Sequence, residues 1–232
     1  MSTRTNKAAV AGVLTIAGII ALYVFTAGAR SNGSGLEALR TKLPKPMFVG
    51  TEKDVRVANL RKPDFGSRPA FLVPDGTANV ALGKPVSSSD EEPIIGELEL
   101  ITDGDKEAAD GSYVELGPFR QYVTIDLEAV HEIYAIMLWH YHQEPTVYFD
   151  VIAQIAEDPN FIQNAQTIFN NDMDNSAGLG VGRDKHYIET FKGELIDAKG
   201  HKARYVRLYS NGNNRNDLNH YIEVEVFGKP AE

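Results

Sequence analysis

Three apolar patterns follow one another along the chain. Between Lys7 and Arg30 runs the uncharged stretch AAVAGVLTIAGIIALYVFTAGA. A helix of that length spans a hydrocarbon core, which needs about 20 apolar residues. Arg4 and Lys7 precede it, so the positive-inside rule places residues 1–7 in the cytoplasm and exports the rest. The segment 8–29 reads as a retained transmembrane anchor. The competing reading is a cleaved signal peptide ending at the small-x-small triplet Ala27-Gly28-Ala29. The apolar run is longer than the roughly 7–15 residues of a signal-peptide core. Both readings export the C-terminal domain.

The second pattern, residues 30–77, is broken by proline. Ser31-Asn32-Gly33-Ser34-Gly35 is a flexible exit, and Leu36–Lys42 predicts a short helix. Pro44, Pro46, Pro63, Pro69 and Pro74 then oppose regular helix or central strand. Met47, Phe48, Val49, Phe65, Phe71, Leu72 and Val73 are nevertheless apolar. This predicts an extended arm that partly packs on the domain or on a partner subunit, against the alternative of a disordered stalk.

The third pattern, residues 78–229, has the period of strands. Val123, Ile125 and Leu127 alternate with polar neighbours, and Glu132–Trp139 is a near-continuous apolar run, as in a strand buried on both faces. Val147–Ile155 alternates again. Val206 and Leu208 face away from Tyr205, Arg207 and Tyr209. Ile222, Val224 and Val226 are expected inward, with Glu223 and Glu225 outward. Short strands at this spacing, separated by Gly, Asn and Asp turns, predict an all-β, antiparallel β-sandwich.

Charge divides the chain the same way. Residues 1–77 hold 11 Lys/Arg and 5 Asp/Glu, whereas residues 78–232 hold 12 and 27, a net −15. A domain that acidic repels phosphate backbones and anionic lipid heads, which argues against nucleic-acid partners. The absence of cysteine removes disulfides, thiolate metal sites and a cysteine nucleophile.

Four segments carry candidate chemistry. Asp103 and Asp105 flank a glycine turn and can converge on one hard cation, with a plain Asx turn as the alternative. His140 and His142 share a side if their strand continues. They are then candidates for a sugar site, for Zn2+ ligation with Asp150 or His220, or for ordinary burial. Asp172, Asp174 and Ser176 have the spacing of an EF-hand start. Ala177 and Arg183 stand where its glycine and glutamate belong, which leaves a rim loop or a second cation site. Asn211–His220 contains Asn211, Asn213, Asn214, Asn216 and Asn219 with Arg215. Amides and guanidinium suit sugar hydroxyls, although asparagine also simply fills turns. Arg207 points outward on its strand toward the same rim.

The order of Asn79–Val86, Ile101–Asp105, Gln121–Leu127, Ile133–Trp139, Ala203–Leu208 and Ile222–Val226 resembles the discoidin, or coagulation factor 5/8 type C, family. That family overlaps carbohydrate-binding modules of the galactose-binding-like fold. The resemblance implies an eight-stranded, jelly-roll-like sandwich with its ends close together and ligands held by loops on one rim. It also implies a structural Ca2+ at Asp103 and Asp105, closed by Ser112 and by Glu223 on the last strand. The chain lacks the cysteine pair of the animal members and shows no obvious hydrophobic spikes for lipid insertion.

No Gly-x-Ser-x-Gly, His-Glu-x-x-His or dinucleotide fingerprint is present. Carboxylates are plentiful enough for a glycosidase pair, which keeps a hydrolase as a distant alternative, but about 150 residues of small sandwich leave little room for a cleft, and the expected function is non-catalytic. One reading is a membrane-anchored module that recognises carbohydrate or cell-envelope glycan. The other is an accessory subunit of a larger membrane complex, using sandwich and arm for protein contacts.

Overall fold

The computed structural model describes residues 35–46, 55–63 and 66–231. The expected anchor at 8–29, the tail at 1–7, the exit Ser31–Ser34 and the apolar residues Met47, Phe48, Val49 and Phe65 lie outside them. No helix among the described residues is long and apolar enough to cross a membrane.

The described residues form eleven strands and one short 3-10 turn, Leu98–Thr102. The strands are β1 (Leu36–Ala38), β2 (Leu72–Pro74), β3 (Ala78–Asn79), β4 (Val86–Ser88), β5 (Val114–Leu116) and β6 (Gln121–Trp139). They continue with β7 (Ile152–Ala156), β8 (Gln166–Asn170), β9 (Glu194–Ser210), β10 (Asn219–Tyr221) and β11 (Glu223–Pro230). Every pairing between them is antiparallel.

Two long strands organise the fold. β6 and β9 pair along most of their length, and each contributes to two layers. The first half of β6 pairs with β4, while the second half of β9 carries β7 and β8 beyond it. The second half of β6 pairs with β11, and β11 with β3. The β6–β9 register slips between Asp126 and His131, where Glu128 takes φ 64°, and again between Ile133 and Ala135. Irregularities of this kind bend a strand and re-aim its side chains. Val123, Ile125 and Leu127 therefore meet Ile136, Leu138, Ala153, Ile155, Val206, Leu208, Val224 and Val226 in one core. Each fully buried Val, Leu or Ile side chain among them contributes about 1.5–3 kcal/mol. The pairing of β3 with β11 brings the two ends of this region together, as the resemblance implied.

A second apolar layer lies on the far side of β6 and β11. Ala135, Met137, Trp139, Ile222 and Phe227 are buried there, with Leu39 and Phe71 of the arm packed on them. Arg61 forms a two-pronged ion pair with Glu194 at 2.9 and 2.6 Å. The Arg68 guanidinium donates to the carbonyls of Lys192 and Gly193. The described part of the arm is thus packed on the domain.

Three sequence expectations need correction. Leu36–Lys42 is not a helix: Leu36–Ala38 is extended because it pairs with Leu72–Pro74. Residues 147–151 are not strand: Asp150 takes φ 50°, and Val147 bonds the Asn214 side chain at 2.8 Å, so only Ile152–Ala156 joins the sheet. Glu223 and Glu225 do not face solvent, since the second layer buries them at 0% and 7% exposure.

Candidate functional site

The Asn211–His220 loop is built by its own amides. Asn213 Oδ1 accepts from the backbone of Arg215 and Asn216 at 2.9 and 3.1 Å, and its Nδ2 donates to Asn216 Oδ1 and the Leu218 carbonyl. Buried Asn219 accepts from Gly212 and donates to the carbonyls of Gly117 and Phe119. Asn211 donates to Asp150 at 2.8 Å. The asparagines expected to meet a ligand are therefore mostly structural, the turn-filling role that short amide side chains favour.

What this framework displays is a pocket of about 220 Å3 lined by Tyr113, Tyr141, Glu144, Thr146, Tyr148, Asn213, Arg215, Asn216 and His220. Tyr113 and Tyr141 meet edge to face at 5.4 Å, and His220 lies 5.9 and 6.1 Å from their rings. Arg215 and Glu144, both partly exposed, pair at 2.5 Å. Thr146 is 2% exposed, and its Oγ1 has no hydrogen-bond partner. A buried hydroxyl without a partner costs about 1–3 kcal/mol, so it calls for an internal water.

Both nitrogens of His220 are engaged, Nδ1 with Tyr148 Oη and Nε2 with Glu115 Oε2, each at 2.8 Å. Burial raises the Tyr148 phenol well above its usual value, so its hydroxyl stays protonated. With Tyr148 donating to Nδ1, the proton of the neutral ring sits on Nε2, facing Glu115. Burial lowers the His220 pKa against the opposing pull of Glu115. His220 therefore offers the pocket a ring surface rather than a free nitrogen.

The remaining sequence candidates lie elsewhere. The strand stops at Trp139, and His140 and His142 are both buried: His140 Nδ1 bonds Glu189 at 2.6 Å and His142 Nε2 bonds the Lys106 carbonyl at 3.0 Å. Arg207 bonds Thr124 and the Pro159 carbonyl, with Tyr122 and Phe161 on its guanidinium. Asp172 and Asp174 gather with Asp150 within 4.8 Å, the one such carboxylate group among the described residues, beside Ser176. Ser176 and Ala177 cap Asp172 with backbone N–H groups, so the loop is closed by its own hydrogen bonds.

At the expected Ca2+ loop the donors are dispersed. Asp103 Oδ1 accepts from Asp105 N and Asp105 Oδ1 from Glu107 N, and both are Asx turns. Ser112 N closes a turn on Ala109. Lys106, 7% exposed, pairs with Glu225 at 2.9 Å, bonds the Gly104 carbonyl at 3.1 Å and lies over the Trp139 ring. Glu223 alone keeps a feature that fits a cation: Oε2 accepts from Gly104 N at 3.1 Å, whereas buried Oε1 has no partner. Burial pushes the Glu223 carboxyl up to about 8.

Sequence reasoning singled out Asn213, Arg215, Asn216 and His220 but missed Tyr113, Glu144, Thr146 and Tyr148. Tyr141 stands between the two candidate histidines, His140 and His142. The missed residues come from two separate segments, which no local pattern joins to the Asn211–His220 loop.

No family model matches the chain, and no curated protein matches it. Among solved structures, the chain is similar to the CBM32 of AlyQ in complex with 4,5-unsaturated mannuronic acid, at 19% identity and TM-score 0.45, over 62% of this chain and 93% of that one. It is also similar to CpGH89CBM32-4 of Clostridium perfringens in complex with GlcNAc-α-1,4-galactose, at 18% identity and TM-score 0.48, over 67% and 96%. A third likeness, to a family 89 glycoside hydrolase of Clostridium perfringens, has 20% identity and TM-score 0.47, and covers 66% of this chain but 15% of that one.

Proposed function

We propose that this chain is a non-catalytic carbohydrate-binding module, held at a membrane by residues 8–29 and turned toward cell-envelope glycan. One observation carries the reading: Tyr113 and Tyr141, in edge-to-face contact, wall a pocket that also holds the partly exposed Arg215–Glu144 pair. Sugars present apolar C–H faces and hydroxyl edges. Tyrosine rings cover the first, and Arg215 and Glu144 supply donors and acceptors for the second. At about 220 Å3 the pocket is smaller than the roughly 300–1,000 Å3 of sites for drug-sized ligands, which suits one sugar ring of a longer chain. Calorimetric titration against a panel of envelope and plant oligosaccharides tests this. Saturable binding that Tyr141→Ala weakens by tenfold or more supports it; no binding to any of them contradicts it.

A structural Ca2+ belongs to the same proposal and rests on Glu223 Oε1, with Asp103 as the nearby carboxylate. Its role is to staple the loop, with Asp105 and Ser112 as the further ligands that the resemblance implies. A Tm that rises on Ca2+ addition supports the ion; an unchanged Tm assigns the cation role to Lys106 alone. The accessory-subunit reading draws on a different observation, the exposure of Leu36, Leu43 and Leu72 on the arm at 39, 42 and 58%. Mild-detergent purification separates it: a chain that runs alone removes that reading.

A further inference from the structure

We infer that the outward face of the arm is a membrane contact in its own right, lying on a bilayer surface that carries anionic headgroups. The inference rests on the proposed anchor at residues 8–29 and is independent of the sugar reading. The face lies outside Asn79–Val226, the region that resembles the discoidin family.

Alternation along the arm sorts its side chains between two sides. Glu37 pairs with Val73, which is 1% exposed, and Leu39 packs on the second apolar layer. Thr41 Oγ1 donates to Glu225, and Pro44 is buried. The residues between them, Leu36, Ala38, Arg40 and Lys42, are all exposed. Extended chain sends successive side chains to opposite sides, so these four share the side turned away from the domain. The pairing of Ala38 with Leu72 puts Leu72, 58% exposed, on that same side. Leu43 and Lys45, both exposed, follow directly in the chain.

This face combines leucines with cations that nothing neutralises. Among the described residues, no ion pair involves Arg40, Lys42 or Lys45. Leucine beside Arg and Lys suits the boundary between headgroups and acyl chains. Near an anionic surface each Lys or Arg strengthens the attraction about fivefold. The described residues of the arm hold seven Lys/Arg against Glu37 and Asp75, whereas residues 78–232 carry −15. An anionic bilayer therefore attracts the arm and repels the domain. In sequence, only Arg30–Ser34 separate the uncharged stretch from Gly35, at most about 20 Å of chain. A protein interface favours aromatic side chains and disfavours lysine; this face has two lysines and no aromatic residue.

The chain has no cysteine, so a single label reports from one place. The full chain, carrying an environment-sensitive fluorophore on Leu36→Cys or Leu72→Cys, is reconstituted in nanodiscs with a doxyl-lipid quencher. The discs are phosphatidylcholine alone or mixed with phosphatidylglycerol. Ile162→Cys and Val181→Cys, at positions 79 and 67% exposed on the domain, are the controls. In the anionic discs the Leu36 and Leu72 labels should be quenched severalfold more than the controls. High salt, or Arg40→Glu with Lys42→Glu at unchanged Tm, should remove most of that quenching. Equal quenching in neutral and anionic discs would overturn the inference, and so would stronger quenching at Ile162 or Val181. Arm labels exposed to water in lipid discs but shielded in native membranes would also overturn it, and would assign the face to a protein partner. A chain that is not retained in discs removes the anchor reading alone; added to vesicles of the same two compositions, it decides the arm face by the same quenching.

Discussion

Single residues set the pH response. Glu223 has its folded pKa raised from 4.5 to about 8, so the folded state holds a proton there that the unfolded chain releases. Stability from this group is present below about 4.5 and lost as pH rises through about 8. In chelator, Glu223→Gln should flatten that decline in the urea midpoint. Since each pKa unit is worth about 1.4 kcal/mol, the difference should be readily measured. A wild-type profile as flat as the variant's would contradict the burial argument. His220 acts in the opposite sense. Its folded pKa lies below 6.5, so acidification through 6.5 favours the unfolded state, and His220→Gln should blunt that loss. Gly193 is the tightest backbone position: at φ 64°, a Cβ would stand 2.5 Å from the Trp139 ring. Gly193→Ala should cost about 2–3 kcal/mol, read as a lower urea midpoint.

At the scale of elements, the arm is the feature to test. Its grip comes from Phe71 and Leu39 on the second apolar layer and from Arg61 on Glu194, whose side chain is 8% exposed. Arg61→Ala leaves a buried carboxylate without its partner. Because Arg61 itself is half exposed, the cost should be about 1–2 kcal/mol rather than that of a fully buried pair. Limited proteolysis should then cut within residues 35–77 faster than in the wild type, and equal cutting rates would show that the arm is not held this way. Strand identity was largely readable from sequence where one strand carries its own two-residue period, as in Val206 and Leu208 or Val224 and Val226. It failed where a distant segment decides the outcome. Glu223 and Glu225 alternate like solvent-facing residues, but the arm and the Lys106 loop cover that face. Leu36–Lys42 has the composition of a helix, and its pairing with Leu72–Pro74 overrides it. The pocket was half visible for the same reason: the Asn211–His220 loop announces itself, whereas Tyr113 and Glu144 become neighbours only through the fold.

Across the described residues, a bent antiparallel scaffold carries the polar loops, and the charge of residues 78–232 governs what approaches them. The same architecture explains why loops rich in Asn can be rigid: their amides bond one another, and the recognition surface falls to the aromatic and charged side chains they hold in place. The most direct test of the central claim is amide chemical-shift mapping of the 35–232 region during titration with a bound oligosaccharide. The account predicts shifts concentrated at Tyr113, Tyr141, Glu144, Thr146, Arg215 and Asn216, with little change at Arg207 or at Asp172 and Asp174. Shifts centred on either of those other regions, with the tyrosine pocket silent, would contradict it.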